Sequence, residues 1–130
     1  MVQTVLTVPE EGVEPHNTSI GHSSVLFDEE SRTFKLWYTV RNSKHPDPAA
    51  SDGILAMAES TDGETFRKVH PNLGPAVGGP SVFIDPNAPP ERRFNTVGKC
   101  HGSSNAPKPC GEGTFLAWSA SQTGVKWTPQ

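Results

Sequence analysis

The sequence predicts an all-β fold of short antiparallel strands, and three observations carry that prediction. Gly and Pro, at 12 and 13 copies in 130 residues, punctuate the chain too often for long helices. Phe34, Leu36, Tyr38 and Val40 alternate with Lys35, Trp37 and Thr39, which is the two-residue period of a strand, and no stretch has the period of an amphipathic helix. The chain also states one pattern twice. Ser24-Val25-Leu26-Phe27-Asp28 matches Ser81-Val82-Phe83-Ile84-Asp85 at an offset of 57, and "STDGETF" from Ser60 matches "SQTGVKW" from Ser121 at an offset of 61. The drift falls in turns, where "PNAPPERR" stands against "EESR".

Each copy resolves into four apolar runs. In the first they are Ser24–Asp28, Phe34–Val40, Ile54–Ser60 and Thr65–His70; in the second, Ser81–Asp85, Arg93–Gly98, Thr114–Ser121 and Val125–Thr128. Asp28, Glu29 and Ser31 make the first turn, and Thr61-Asp62-Gly63 signals a tight hairpin whose glycine supplies a positive φ. Four antiparallel strands repeated at this period are the mark of a β-propeller blade. The expected organisation is an N-terminal segment over 1–21, with Val2–Val8 available as an added strand, a first blade over 22–74 and a second over 75–130 with its last strand cut short.

Composition removes several function classes. The net charge is −3 with Lys and Arg scattered, unlike the basic footprint of a nucleic-acid binder. No run of apolar residues is long enough to span a membrane. The start, "MVQTVLTVPEEG", has no basic region followed by an apolar core, so no secretory signal is read and the default location is the cytoplasm. No Gly-rich phosphate cradle or G-x-S-x-G elbow occurs, and no cofactor is expected.

The run "SVLFD…FKLWYT…AMAESTDGETF", followed by "PSVFIDPNAPPERRF…AWSAS", resembles the five-bladed propellers related to glycoside hydrolase families 32 and 43, the invertase, levansucrase and arabinanase-like enzymes. The likeness covers about residues 20–130 and rests on blade-level patterns. Sialidase-type Asp-box propellers are a neighbouring resemblance, because Ser60, Asp62, Gly63 and Phe66 nearly spell that turn. In the glycosidase propellers, carboxylates face one another across the sugar and enter from the innermost strands in an "(R)DP-x-V" context. That motif lies over Gly79-Pro80-Ser81-Val82, which puts a glycine at the acid position; the counterpart in the first copy is near His22. Asp85, in "IDP", stands at the other end of its strand and matches Asp28. Both are read as turn residues accepting backbone N–H bonds, as is Asp62.

Alternation places the two tight hairpins on one face and the long loops, Arg41–Gly53 and Gly98–Gly113, on the other with the approach through Asn17 and His22. The candidate ligand-binding residues are therefore Asn17, His22, His45, Asp52, Lys99 and His101, with Asp47, Asn105 and Glu112 on the same face. Trp37 or Trp118 would stack on a sugar, although Trp37, Trp118 and Trp127 stand at strand positions that favour packing between sheets. Cys100 and Cys110 form either a disulfide or two free thiols; "C-H-x8-C" is not a zinc spacing, and no metal is expected.

Two blades cannot close a ring. The chain is thus expected to be part of a longer propeller, to complete one as a homo-oligomer, or to stand as a two-sheet remnant that uses Val2–Val8 as an added strand. The resulting expectation is a carbohydrate-related, glycoside hydrolase-like partial propeller without independent hydrolase activity. An oligomeric lectin-like module and a non-catalytic interaction domain are the alternatives.

Overall fold

The computed structural model describes Leu6 and residues 18–42, 53–71, 73, 77–100, 115–120 and 123–129. Eight strands are described: β1 (Thr18–Asp28), β2 (Thr33–Asn42), β3 (Ile54–Ser60), β4 (Arg67–His70), β5 (Val77–Ile84), β6 (Phe94–Cys100), β7 (Phe115–Ala120) and β8 (Trp127–Pro129). They form two antiparallel four-stranded sheets, ordered β1-β2-β3-β4 and β5-β6-β7-β8, joined in simple up-and-down sequence. A short 3₁₀ turn, Pro90–Arg92, is the one helical element among the described residues. No helix there is long and apolar enough to cross a membrane. The fold is all-β, as expected from the strand-period alternation. The first strand begins at Thr18, so residues 18–21 belong to the first sheet and extend it beyond the expected boundary at 22.

The ladders fix the offsets of the repeat. Phe27 pairs Phe34 and Phe34 pairs Ser60; in the second sheet Ile84 pairs Phe94 and Phe94 pairs Ala120. The offset is thus 57 in the first strand (27 to 84) and 60 in the second and third (34 to 94, 60 to 120). The three extra residues fall in the Asp85–Arg93 connection around the 3₁₀ turn. The offset of 61 read from the sequence applies only beyond the last hairpin. Both first strands carry a one-residue bulge at the same end, displaced by one repeat position: the register slips between Ile20 and Ser23, and again between Gly78 and Ser81, so that His22 and its counterpart Gly79 lie in both.

Alternation divides the first sheet into two faces, and both are apolar. On one, Leu26, Trp37, Leu55 and Met57 meet Val82, Ile84, Phe94 and Trp127 of the second sheet in a single core. Trp37 is fully buried there, with ring centroids 5.2 Å from Phe94 and 6.5 Å from Trp127, and its indole N–H donates to the Gly124 carbonyl at 3.0 Å. Gly124 has φ +69°, and a Cβ on it would lie 2.5 Å from the Trp37 ring, so this turn accepts only glycine. On the opposite face, Tyr38, Val40, Ala56 and Ala58 form a second cluster, against which Leu6, Leu36 and Phe66 pack. With both faces covered, even polar members of β2 are buried: Lys35 and Thr39 lie with Trp37 on the junction side.

The repeat positions show which faces meet. Val82, Ile84, Phe94 and Thr96 correspond to Val25, Phe27, Phe34 and Leu36, which lie on the side of the first sheet turned away from Trp37. The sheets therefore stack through unlike faces, the Trp37 side of one against the Val82 side of the next. Trp37→Ala removes the largest side chain of that junction and its bond to Gly124. It should lower unfolding free energy by roughly 3–5 kcal/mol in urea titration.

Candidate functional site

Two places concentrate polar side chains, one at each end of the sheets. The first is the bulge on β1. Gly21 and His22 occupy it, and the extra residue turns His22 outward, where it is exposed. The backbone at this point presses on β2: the Thr39 hydroxyl donates to the His22 carbonyl at 3.4 Å, and a Cβ on Gly21 would come within 2.2 Å of that hydroxyl oxygen. Thr39 is itself buried. Glycine at 21 is thus required by close approach, and the rigid floor below it fixes where His22 emerges. The matching bulge in β5 contains Gly79, so the position of the expected family acid holds an imidazole in one sheet and no side chain in the other.

The second place is the hairpin end, where the sequence suggested only turns. Asp28 does accept the Glu30 amide, as an Asx turn requires, and Asp85 accepts the Asn87 amide at 2.9 Å. Ser60, Asp62 and the amides of Gly63, Glu64 and Thr65 close the β3–β4 turn, in which Gly63 has φ +77°. This turn runs from Ser60 to Phe66 and is wider than a two-residue hairpin. Asp28, however, is also buried at the sheet junction. Arg93 of the second sheet bonds both Asp28 and Glu30, and Ser31 donates to Asp28 at 2.8 Å. Lys35, also buried, lies 3.7 Å from Asp28, bonds Glu59 at 3.0 Å and donates to the Thr123 carbonyl across the junction at 3.4 Å.

Arg93, Lys35, Glu30 and Glu59 were not singled out in the sequence. The available signal was Lys35, which shares a strand face with Trp37 and Thr39 and so had to be buried or paired. Burial alone would raise the Asp28 pKa. The Ser31 hydroxyl, Arg93 and the Glu30 amide outweigh it, and the carboxyl is held below its ordinary value. A carboxylate kept ionised in this way is unsuited to protonate a leaving group at neutral pH, because a general acid needs a raised pKa. Its geometry assigns it to tying the sheets together.

Of the expected ligand residues, His22 is described and lies at the bulge. Lys99 has a described backbone, pairing Gly78 across the matching bulge of the second sheet. The two positions stand at the same end of their respective sheets. Asn17, His45, Asp52 and His101 lie outside the described residues, as do Asp47, Asn105, Glu112 and Cys110. Trp37 and Trp127 pack between the sheets, which removes Trp37 as a stacking platform; Trp118 pairs Thr96 and Pro129 in register. Among the described residues no group of three His, Cys, Asp or Glu could hold a metal. No protein-family model, curated protein or solved structure matches this chain.

Two carboxylates tie stability to acid. Asp62 is lowered to about 2 by the Thr65 and Glu64 amides and the Ser60 hydroxyl, and Asp28 is lowered as described. Groups lowered on folding contribute stability that is complete above their unfolded pKa near 3.8 and is lost as pH falls through the folded value. The urea midpoint should be level from neutral pH to about 5 and fall below about 4. Arg93→Met leaves Asp28 buried with Lys35 as its one neighbouring cation among the described residues, beside the Ser31 hydroxyl and Glu30 amide; it should cost roughly 3 kcal/mol and move the acid limb to higher pH. Asp62→Asn should lower the neutral plateau and flatten the fall between about pH 4 and 2.

Proposed function

We propose that the chain is two consecutive blades of a glycosidase-like β-propeller and that it binds carbohydrate without hydrolysing it. The observation that carries the reading is the shared bulge. Its residues in the two sheets align with the acid position of the resembled family, and they are His22 and Gly79. An exposed imidazole both donates and accepts hydrogen bonds, which suits a sugar hydroxyl, whereas a glycine has no proton to transfer. The carboxylates at the opposite end are engaged in turns and in the sheet junction. Stacking through unlike faces supports the blade assignment, because a repeat that adds sheets around an axis must present opposite faces at each junction.

On this reading the ligand is a neutral oligosaccharide, held at the end where the bulges open and the β2–β3 and β6–β7 connections emerge. Calorimetric titration with arabino- and fructo-oligosaccharides is the test. Binding without release of reducing ends is expected, with His22→Ala weakening affinity about tenfold, the effect of one lost hydrogen-bonding group. Absence of heat at millimolar oligosaccharide overturns sugar binding, and release of reducing ends overturns the non-catalytic part.

A further inference from the structure

Each sheet has one face in the junction and one turned away, and Val25, Phe83 and Val97 on the outward faces are repeat counterparts of residues packed in the junction. Val25, 54% exposed, corresponds to Val82, which is 5% exposed within the junction. Phe83, 46% exposed, corresponds to Leu26, which packs against the junction core. Val97, 43% exposed, corresponds to Trp37 at the centre of that core. Ile20, 38% exposed, lies on the same side of β1 as Val25, toward the bulged end. Leu6 and Phe66 pack on the Tyr38–Ala58 cluster farther across that face, leaving the β1 half open.

We infer that a second copy of this chain docks here, head to tail, its Phe83–Val97 face seated on the Ile20–Val25 face of its neighbour. The argument is continuity with the junction already present inside the chain. The strips left open, the Val25 side of β1 and the Phe83–Val97 side of the second sheet, belong to the same complementary pair, the Val82-type side and the Trp37-type side, and they are displayed on opposite flanks of one molecule; Tyr38, Val40, Ala56 and Ala58, farther across the first face, are already covered. A like-face dimer would bring two identical sides together, a pairing that the chain does not use internally. The polar seam does not repeat, because Thr33 holds the position of Arg93 and Asn95 that of Lys35. The copy-to-copy junction thus lacks the ion pairs of the internal one, and association is reversible and concentration-dependent. The inference extends the blade reading above, and its readout, mass in the absence of sugar, is independent of glycan binding.

Sedimentation of the intact chain from about 1 μM to about 1 mM should show mass rising above the monomer. Val25→Glu blocks one face and Val97→Glu the other, so each variant alone should be monomeric, with association weakened at least tenfold. Mixed, they retain one intact face each and should form a one-to-one dimer and nothing larger. This rescue separates loss of the interface from loss of folding, and Phe83→Ser provides a milder block of the Val97 face. A wild-type monomer throughout the range overturns the inference. So does self-association of Val25→Glu alone, which would require like faces to meet, or failure of folded variants to pair on mixing.

Discussion

The junction between unlike sheet faces is the constraint on which the rest of the molecule depends. Neither four-stranded sheet has enough surface to enclose a core, and the first is apolar on both sides. Packing the Trp37 side of one sheet on the Val82 side of the other gives a core in which Trp37, Phe94 and Trp127 meet at tilted and edge-on angles. The indole N–H would be an expensive buried donor if left alone, and the Gly124 carbonyl answers it. Glycine at 124 follows from that contact, and so does the shape of the last hairpin.

The same junction determines what the acidic residues can do. Asp28 and Lys35 sit at its rim with little solvent, and each is satisfied by partners from both sheets. Removing either would strand a buried charge, which is how a few polar groups fix the relative position of two otherwise greasy surfaces. Carboxylates bound in this way serve geometry rather than proton transfer. The hairpin end of the molecule is structural. The bulged end, where His22 leaves the ladder above a floor made by Gly21 and Thr39, is where an exposed polar group is held in a defined place.

Much of this was legible in the residues. The alternation around Trp37 marks a strand, and the recurrence of "SV-aromatic" marks a second sheet built like the first. Asp62 and Asp85 read as turn residues because their side chains cap nearby amides, and Gly63 because it takes a positive φ, local properties that sequence carries well. The register was less legible. The match from Ser60 to Ser121 gave an offset of 61, whereas pairing makes Ala120 the counterpart of Ser60, an offset of 60 through β2 and β3, since a ladder is fixed by partners on another strand and not by residue likeness. Lys35 and Arg93 were missed for a similar reason: their partners lie across the junction, far along the chain.

The strand period and the turns are readable from the residues because each arises from neighbours a few positions apart, and the duplication is readable because it is a likeness between two stretches of the chain. Only the tertiary structure decided that the two copies meet through opposite sides, that Asp28 is a buried tie as well as a turn residue, and that Val25, Phe83 and Val97 are left in water while their counterparts are covered. Those outcomes depend on which side of a sheet finds another to rest on. Identical local patterns in the two copies carry no information about that choice, since burial is a property of pairs of surfaces.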